Sequence, residues 1–226
     1  MNSADSIRRE AKMSNTGQAV PRILCVYGSP RVGGNTDVLM DAFVRGVEEA
    51  AGAAERAYLR DLNISPCREI YACKNVGRCA LNDDMQPLYD VLRDVDAVAL
   101  ASPVMFYGVS AHTKAFIDRC QALWCIKYFR KERISRGKLV ERKGVFLSVG
   151  GSRGKSLFDG PLLTFRYFLD AIDAKPWKSL TYREIDEKGD VQRHPTALEE
   201  AHGLGRDFVD AVRADLHEVE SGKQKS

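Results

Sequence analysis

The 226-residue chain lacks any apolar run approaching the roughly 20 residues that cross a bilayer. Near its start, Arg8 and Arg9 run into Glu10, Ala11 and Lys12 rather than an apolar stretch, so no secretory leader is read there. A cytoplasmic location without a membrane partner is expected. An excess of either charge is also lacking. The 34 Lys and Arg nearly balance the 31 Asp and Glu, and a net charge of +3 is too small to argue for nucleic acid. In a reducing compartment the six cysteines are expected as thiols or ligands, not disulfides. No internal repeat and no linker divides the middle of the chain. What remains is ordinary globular composition, 44% hydrophobic and 29% charged. The expected organisation is a flexible arm over 1–20, with Met13 as an alternative start, one domain over 21–218 and a frayed end over 219–226.

Three short apolar runs have the length and composition of buried parallel strands: Ile23 to Tyr27, Ala97 to Ala101 and Val145 to Val149. Ala54 to Leu59 is weaker and is expected beside the first; Trp177 to Tyr182 supplies a last strand. Helical spacing runs over 36–51, 109–124, 159–173 and 196–219. Alternating strands and helices predict an α/β fold, a doubly wound parallel sheet with helices on both faces. Five strands in this length suit the flavodoxin-like order 2-1-3-4-5, which places a ligand past the strand C-termini at the switch point.

Three loops fall at that edge. The first, Gly28-Ser29-Pro30-Arg31-Val32-Gly33-Gly34-Asn35-Thr36, joins a strand to a helix start, where backbone N–H groups and the positive end of the macrodipole meet an anion. Ser29, Asn35 and Thr36 add side-chain donors, and Arg31 adds a guanidinium fork. The loop lacks the Gly-Lys-Ser/Thr end of a Walker motif, and its glycines do not fit G-x-G-x-x-G. A plain Asn-capped helix is the competing reading, and Asp37 in the first turn must point away from a bound dianion. The second loop, Pro103 to Gly108, carries Phe106 and Tyr107, which could face an aromatic ring or simply pack. The third has Gly150, Gly151 and Gly154, either facing a ligand edge or forming an ordinary turn. Of the four histidines, only His112 falls near this edge, and a surface role is expected for it.

Gly28-Ser29-Pro30-Arg31 with Gly34-Asn35-Thr36 resembles the phosphate loop of NAD(P)H-dependent FMN reductases. Asp83-Asp84-Met85, the stretch from Asp96-Ala97-Val98 through Ser102-Pro103-Val104, and Lys114-Ala115-Phe116-Ile117-Asp118-Arg119 are similar to the iron–sulfur flavoprotein branch of that family. The resemblance covers about 21–180 and implies a flavodoxin-like fold that binds FMN and forms homodimers or homotetramers. It implies that Ser29, Arg31, Gly34, Asn35 and Thr36 hold the phosphate. Pro103, Val104, Met105 and Phe106 would line the ribityl chain and flavin, with Met105 where the family often has Tyr. Gly150 and Gly151 would border the isoalloxazine.

The iron–sulfur branch carries C-x-x-C-x-x-C and a fourth cysteine shortly after. Here the matching positions hold Cys67, Ile70, Cys73 and Cys79. Isoleucine cannot coordinate iron, so the set is incomplete and no metal is expected. Cys120 or Cys125 could complete it from elsewhere. The basic stretch Lys127 to Lys143 reads as a solvated face or subunit contact, or else as an attractor for the 2′-phosphate of NADPH. The expected function is an FMN-dependent oxidoreductase. It takes hydride from NAD(P)H and passes electrons to a small acceptor such as a quinone, flavin or other aromatic. Backbone N–H groups from Gly150 to Ser152 would stabilise charge at the flavin's pyrimidine edge, and no acid–base side chain is nominated. The alternatives are an electron carrier for a protein partner, with a cluster or without, and a flavodoxin-like regulator that uses FMN structurally or not at all.

Overall fold

The computed structural model describes residues 20–139 and 141–222. Met13 and nearly all of the expected arm, together with residues 223–226, lie outside the described residues. In chain order the elements are β1 (Arg22–Tyr27), α1 (Asn35–Glu49), β2 (Ala53–Tyr58), α2 (Ala72–Val76), α3 (Met85–Asp94), β3 (Ala97–Ala101), α4 (Ala111–Arg119), α5 (Gln121–Tyr128), β4 (Arg142–Val149), α6 (Asp159–Ala171), β5 (Ala174–Tyr182), α7 (Asp190–Arg193) and α8 (Ala197–Glu220). A single 3-10 turn, Leu59–Asp61, follows β2. The strands form one parallel sheet of order β2-β1-β3-β4-β5, the order expected from the sequence.

Alternation along β1 distributes the core. Ile23, Cys25 and Tyr27 face α1 and α8, while Leu24 and Val26 join the side chains of α3 to α6. Both faces are therefore dry, which explains why the central strands read as unbroken apolar runs. Pro176 lies on the edge strand β5, where a missing N–H is tolerated, and the pairing slips at Gly144/Val145 beside it. On the other face, α1 and α8 pack in close contact. A Cβ on Gly46 would lie 2.0 Å from the His202 carbonyl oxygen, and one on Gly205 would lie 2.1 Å from that of Phe43.

Three differences from the sequence reading stand out. The helix expected over 109–124 is two helices meeting at Cys120. The helix α3, not anticipated, buries Met85, Leu88, Tyr89, Val91 and Leu92. The basic stretch before and into β4 lies at the N-terminal edge of the sheet, opposite the expected ligand edge. Several of its cations are paired: Lys127 with Asp170 and Asp173, Arg136 with Asp90 and Asp94, Lys138 with Glu220, and Lys143 with Asp215. Arg142 is wholly buried and donates to the carbonyls of Leu92, Val95 and Ile172, and burial pulls its pKa down to about 10. Attraction of the NADPH 2′-phosphate by this stretch does not fit that placement.

Candidate functional site at the strand C-termini

The ends of β1, β3 and β4 are stitched together by buried serines. Ser110 Oγ donates to the Gly28 carbonyl (2.5 Å) and caps α4 by accepting from Thr113 N–H. Ser102 Oγ accepts from Ser110 N–H, and Ser148 Oγ donates to the Ser102 carbonyl. Gly28 is squeezed between these strands. Its N–H reaches the Ala101 carbonyl at 2.7 Å, and a Cβ there would sit 2.0 Å from Thr113 Oγ1.

This frame opens a cleft of about 190 Å³ lined by Ser29, Pro30, Arg31, Gly34, Asn35, Thr36, Pro103, Val104, Met105, Val149, Gly150, Gly151, Ile185 and Asp186. The three loops singled out in the sequence thus meet. Helix α1 starts at their junction with Gly34 as N-cap and no capping side chain. The N–H groups of Asn35, Thr36 and Asp37 therefore have no intrahelical acceptor, a donor set that fits a phosphate. A Cβ on Gly34 would press on Ser29 Oγ and the Arg31 carbonyl, both at 3.3 Å. Across the cleft, a Cβ on Gly151 would meet the Asp186 carboxylate at 2.8 Å.

Two predicted residues occupy other roles. The Asn35 amide is already engaged: it donates to the Glu187 carbonyl (2.9 Å) and accepts from Gly189 and Val191 N–H. It clamps the loop after β5, while its backbone N–H stays available to an anion. Phe106 does not line the cleft. Met105 and Gly108 exchange both backbone hydrogen bonds, and Phe106 and Tyr107 form the tip between them, each at positive φ. That is a two-residue hairpin turn of the kind usually made by Asn-Gly. Phe106 is fully exposed at its apex.

Three residues at the cleft carry no signal in the sequence. Ile185 and Asp186 come from the loop after β5, which carries no glycine-rich or aromatic signal. Arg60, from the 3-10 turn after β2, lies behind the phosphate loop. It pairs with Asp37 (2.8 Å) and donates to the Ser29 carbonyl, while Asp37 accepts from Gly33 N–H. The buried Asp37 therefore points away from the cleft, as the dianion argument requires. Burial raises its pKa, only partly offset by Arg60 and the Gly33 N–H.

A larger cleft, about 680 Å³, lies between the Cys67–Cys73 segment and helices α4, α5 and α6. Its lining includes Glu69, Asp118 and Asp170 against Lys114, a balance that repels a phosphate. The segment carrying Cys67, Cys73 and Cys79 is anchored by Arg119. This fully buried side chain grips both oxygens of Asp83 (2.5 and 3.0 Å) and donates to the Ser65 carbonyl. Burial alone would raise the Asp83 pKa; the hydrogen bonds from Arg119 and from Ser65 and Met85 N–H hold it below the usual carboxylate range. Among the described residues no three His, Cys, Asp or Glu side chains gather closely enough to share a metal ion. With Ile70 at the position where a further thiolate would be needed, Cys67, Cys73 and Cys79 supply three of the four ligands that a cluster normally takes. Among the same residues, no helix is long and apolar enough to cross a membrane.

Comparison with known proteins agrees with this fold. An iron–sulfur flavoprotein of Archaeoglobus fulgidus is 36% identical over 152 residues, covering 66% of this chain and 73% of that protein. Across three such archaeal relatives the chain spans 53 to 73% of their length. A Bacillus subtilis protein with the provisional name NAD(P)H-dependent FMN-containing oxidoreductase is 26% identical over 185 residues, covering 81% of this chain and 96% of that protein. In fold, the chain is similar to an NAD(P)H:quinone oxidoreductase from Methanothermobacter marburgensis, with a TM-score of 0.65 at 16% identity, covering 84% of this chain and 96% of the other. A family profile matches residues 21–174, from the first strand to the start of the last, and by that match the chain belongs to the NADPH-dependent FMN reductase family.

Proposed function

We propose that this protein is an FMN-dependent NAD(P)H oxidoreductase that delivers electrons to a small acceptor such as a quinone, a flavin or another aromatic. The observation that carries the reading is the uncapped start of α1, opening onto a cleft whose other walls are the ends of β3 and β4. The FMN phosphate would be held by Ser29, the Arg31 guanidinium and the N–H groups of Asn35 and Thr36, with Gly34 allowing close approach. Pro103, Val104 and Met105 would flank the ribityl chain and ring, and Gly150 and Gly151 the ring edge. When bound, FMN supplies hydride acceptance from the nicotinamide and electron release to the acceptor.

The chain's own contribution is positional. Gly151 and Ser152 can present N–H groups to the pyrimidine edge, where negative charge grows on reduction. A cleft of about 190 Å³ is smaller than the roughly 300–1,000 Å³ typical of enclosed ligand sites. It suits the phosphate and chain, leaving the ring at the mouth. A second copy of the protein completing the acceptor site as a homodimer or homotetramer accords with that openness and with the exposed Phe106 tip.

The absorption spectrum of the purified protein tests the cofactor, and stopped-flow mixing with NAD(P)H tests the activity. Rapid bleaching of bound flavin supports an enzyme. Flavin that stays oxidised favours the competing reading drawn from the iron–sulfur flavoprotein relatives, an electron carrier for a protein partner. Arg31→Ala removes a charge-assisted contact worth about 1.5–3 kcal/mol, so FMN should bind roughly 10- to 150-fold more weakly. Unchanged FMN affinity would overturn the placement of the phosphate.

A further inference from the structure

Five of the six cysteines belong to the side of the sheet that carries α3 to α6, and only Cys25 faces α1 and α8. Two of the five touch. The Sγ atoms of Cys73, in α2, and Cys125, in α5, are 3.7 Å apart although 52 residues separate them in the chain. Cys73 is partly exposed and lines the cleft of about 680 Å³, whereas Cys125 is buried behind it. Neither residue lines the strand-end cleft.

We propose that Cys73 and Cys125 form a reversible dithiol–disulfide couple, a redox modification site separate from the FMN cleft. A disulfide needs its sulfurs about 2.05 Å apart, so closure from 3.7 Å asks each to move by roughly 0.8 Å. Side-chain rotation on two abutting helices supplies a shift of that size. The oxidant is a small-molecule disulfide entering from the cleft. The exposed Cys73 thiolate attacks one of its sulfurs, forming a mixed disulfide and releasing one thiolate, which takes up a proton. The Cys125 thiolate then attacks the Cys73 sulfur, displacing the second thiolate, which is protonated in turn. Two protein thiols lose two electrons and two protons, and the small disulfide gains both as two thiols. Burial and the adjoining Cys125 thiol push the Cys73 pKa up to about 11, so the first attack is slow at neutral pH.

The consequence is mechanical. Helix α2 sits in the long excursion between β2 and α3, and the disulfide would staple that excursion to α5. Closing a loop of this length restricts the unfolded chain and should raise thermal stability.

The test uses the full-length protein, reduced, then equilibrated with excess oxidised glutathione at mildly alkaline pH, alkylated and mapped by mass spectrometry. The expected result is a Cys73–Cys125 cross-linked peptide that disappears with dithiothreitol, with a higher melting temperature for the oxidised form. Cys125→Ser should retain glutathione on Cys73, because the resolving thiol is gone. Recovery of both thiols alkylated after oxidation, or Cys73 linked to Cys67 or Cys79 instead, would overturn the proposal. The wild-type map decides the pairing even if a variant fails to fold.

Discussion

The strand-end cleft and the cysteine-bearing excursion are both loop structures on one sheet, yet they are held in opposite ways. The cleft is fixed by backbone: strand ends in register, serine hydroxyls on neighbouring carbonyls, and a glycine where no side chain fits. The excursion is held largely by side chains: a buried ion pair from a distant helix, Arg119 on Asp83, with Gln86 on the Cys79 and Leu81 carbonyls. Backbone frames tolerate change in exposed side chains. A buried charge clamp does not, since removing one partner leaves the other unpaired in a poorly solvated site.

Arg119→Met should therefore have the largest effect, a loss of about 3–5 kcal/mol in denaturant unfolding. The comparison predicts that any folded fraction keeps its FMN affinity. A loss below about 1 kcal/mol would place the excursion's stability elsewhere.

Gly28→Ala attacks the other region. The added methyl overlaps Thr113 Oγ1 and the Ala101 carbonyl, so about 1–3 kcal/mol should be lost, here with weaker FMN binding. A variant of wild-type stability and affinity would show the frame to be loose.

Acid separates the two regions by sign. The folded-state pKa of Asp83 is lowered, so its stabilisation is present above the unfolded value near 3.9 and disappears as pH falls through the folded value. That of Asp37 is raised, so the native state takes up its proton first and this site gains stability as pH falls through the raised value. Urea midpoints across pH should show acid sensitivity reduced in Asp83→Asn, measured against its own neutral-pH value, and increased in Asp37→Asn. Identical pH profiles in both variants would contradict the assignment.

Lys114→Ala should do least. It breaks an exposed helical pair with Asp118 worth about 0.3–0.5 kcal/mol, a shift near the limit of a melting curve.

What the sequence made legible follows the same division. Apolar runs declared the strands because both sheet faces are covered, and a glycine-rich loop between strand and helix declared the cleft. Helix α3 escaped because Pro87 and interspersed polar residues obscure its spacing, although a first-turn proline leaves no helical hydrogen bond unmade. Arg60 and Asp186 escaped for a different reason. Each reaches the site from a separate strand end, and no local pattern announces such a meeting. Asn35 was rightly placed at the cleft, but its side chain turned out to serve the loop after β5. Of the two readings of the Lys127–Lys143 stretch, the solvated face suits the structure better, since its cations meet carboxylates that a run of cations does not reveal.

The Asn35 amide ties the first βα connection to residues 152 to 156 positions later. In terms of synthesis, the cleft cannot be complete until Val191 has left the ribosome and β5 has docked. Contacts this far apart in sequence form late, because their loops must close first. The anion site that begins within the first strand–helix connection is thus among the last parts of the molecule to mature, and FMN would be taken up by a chain that is already folded.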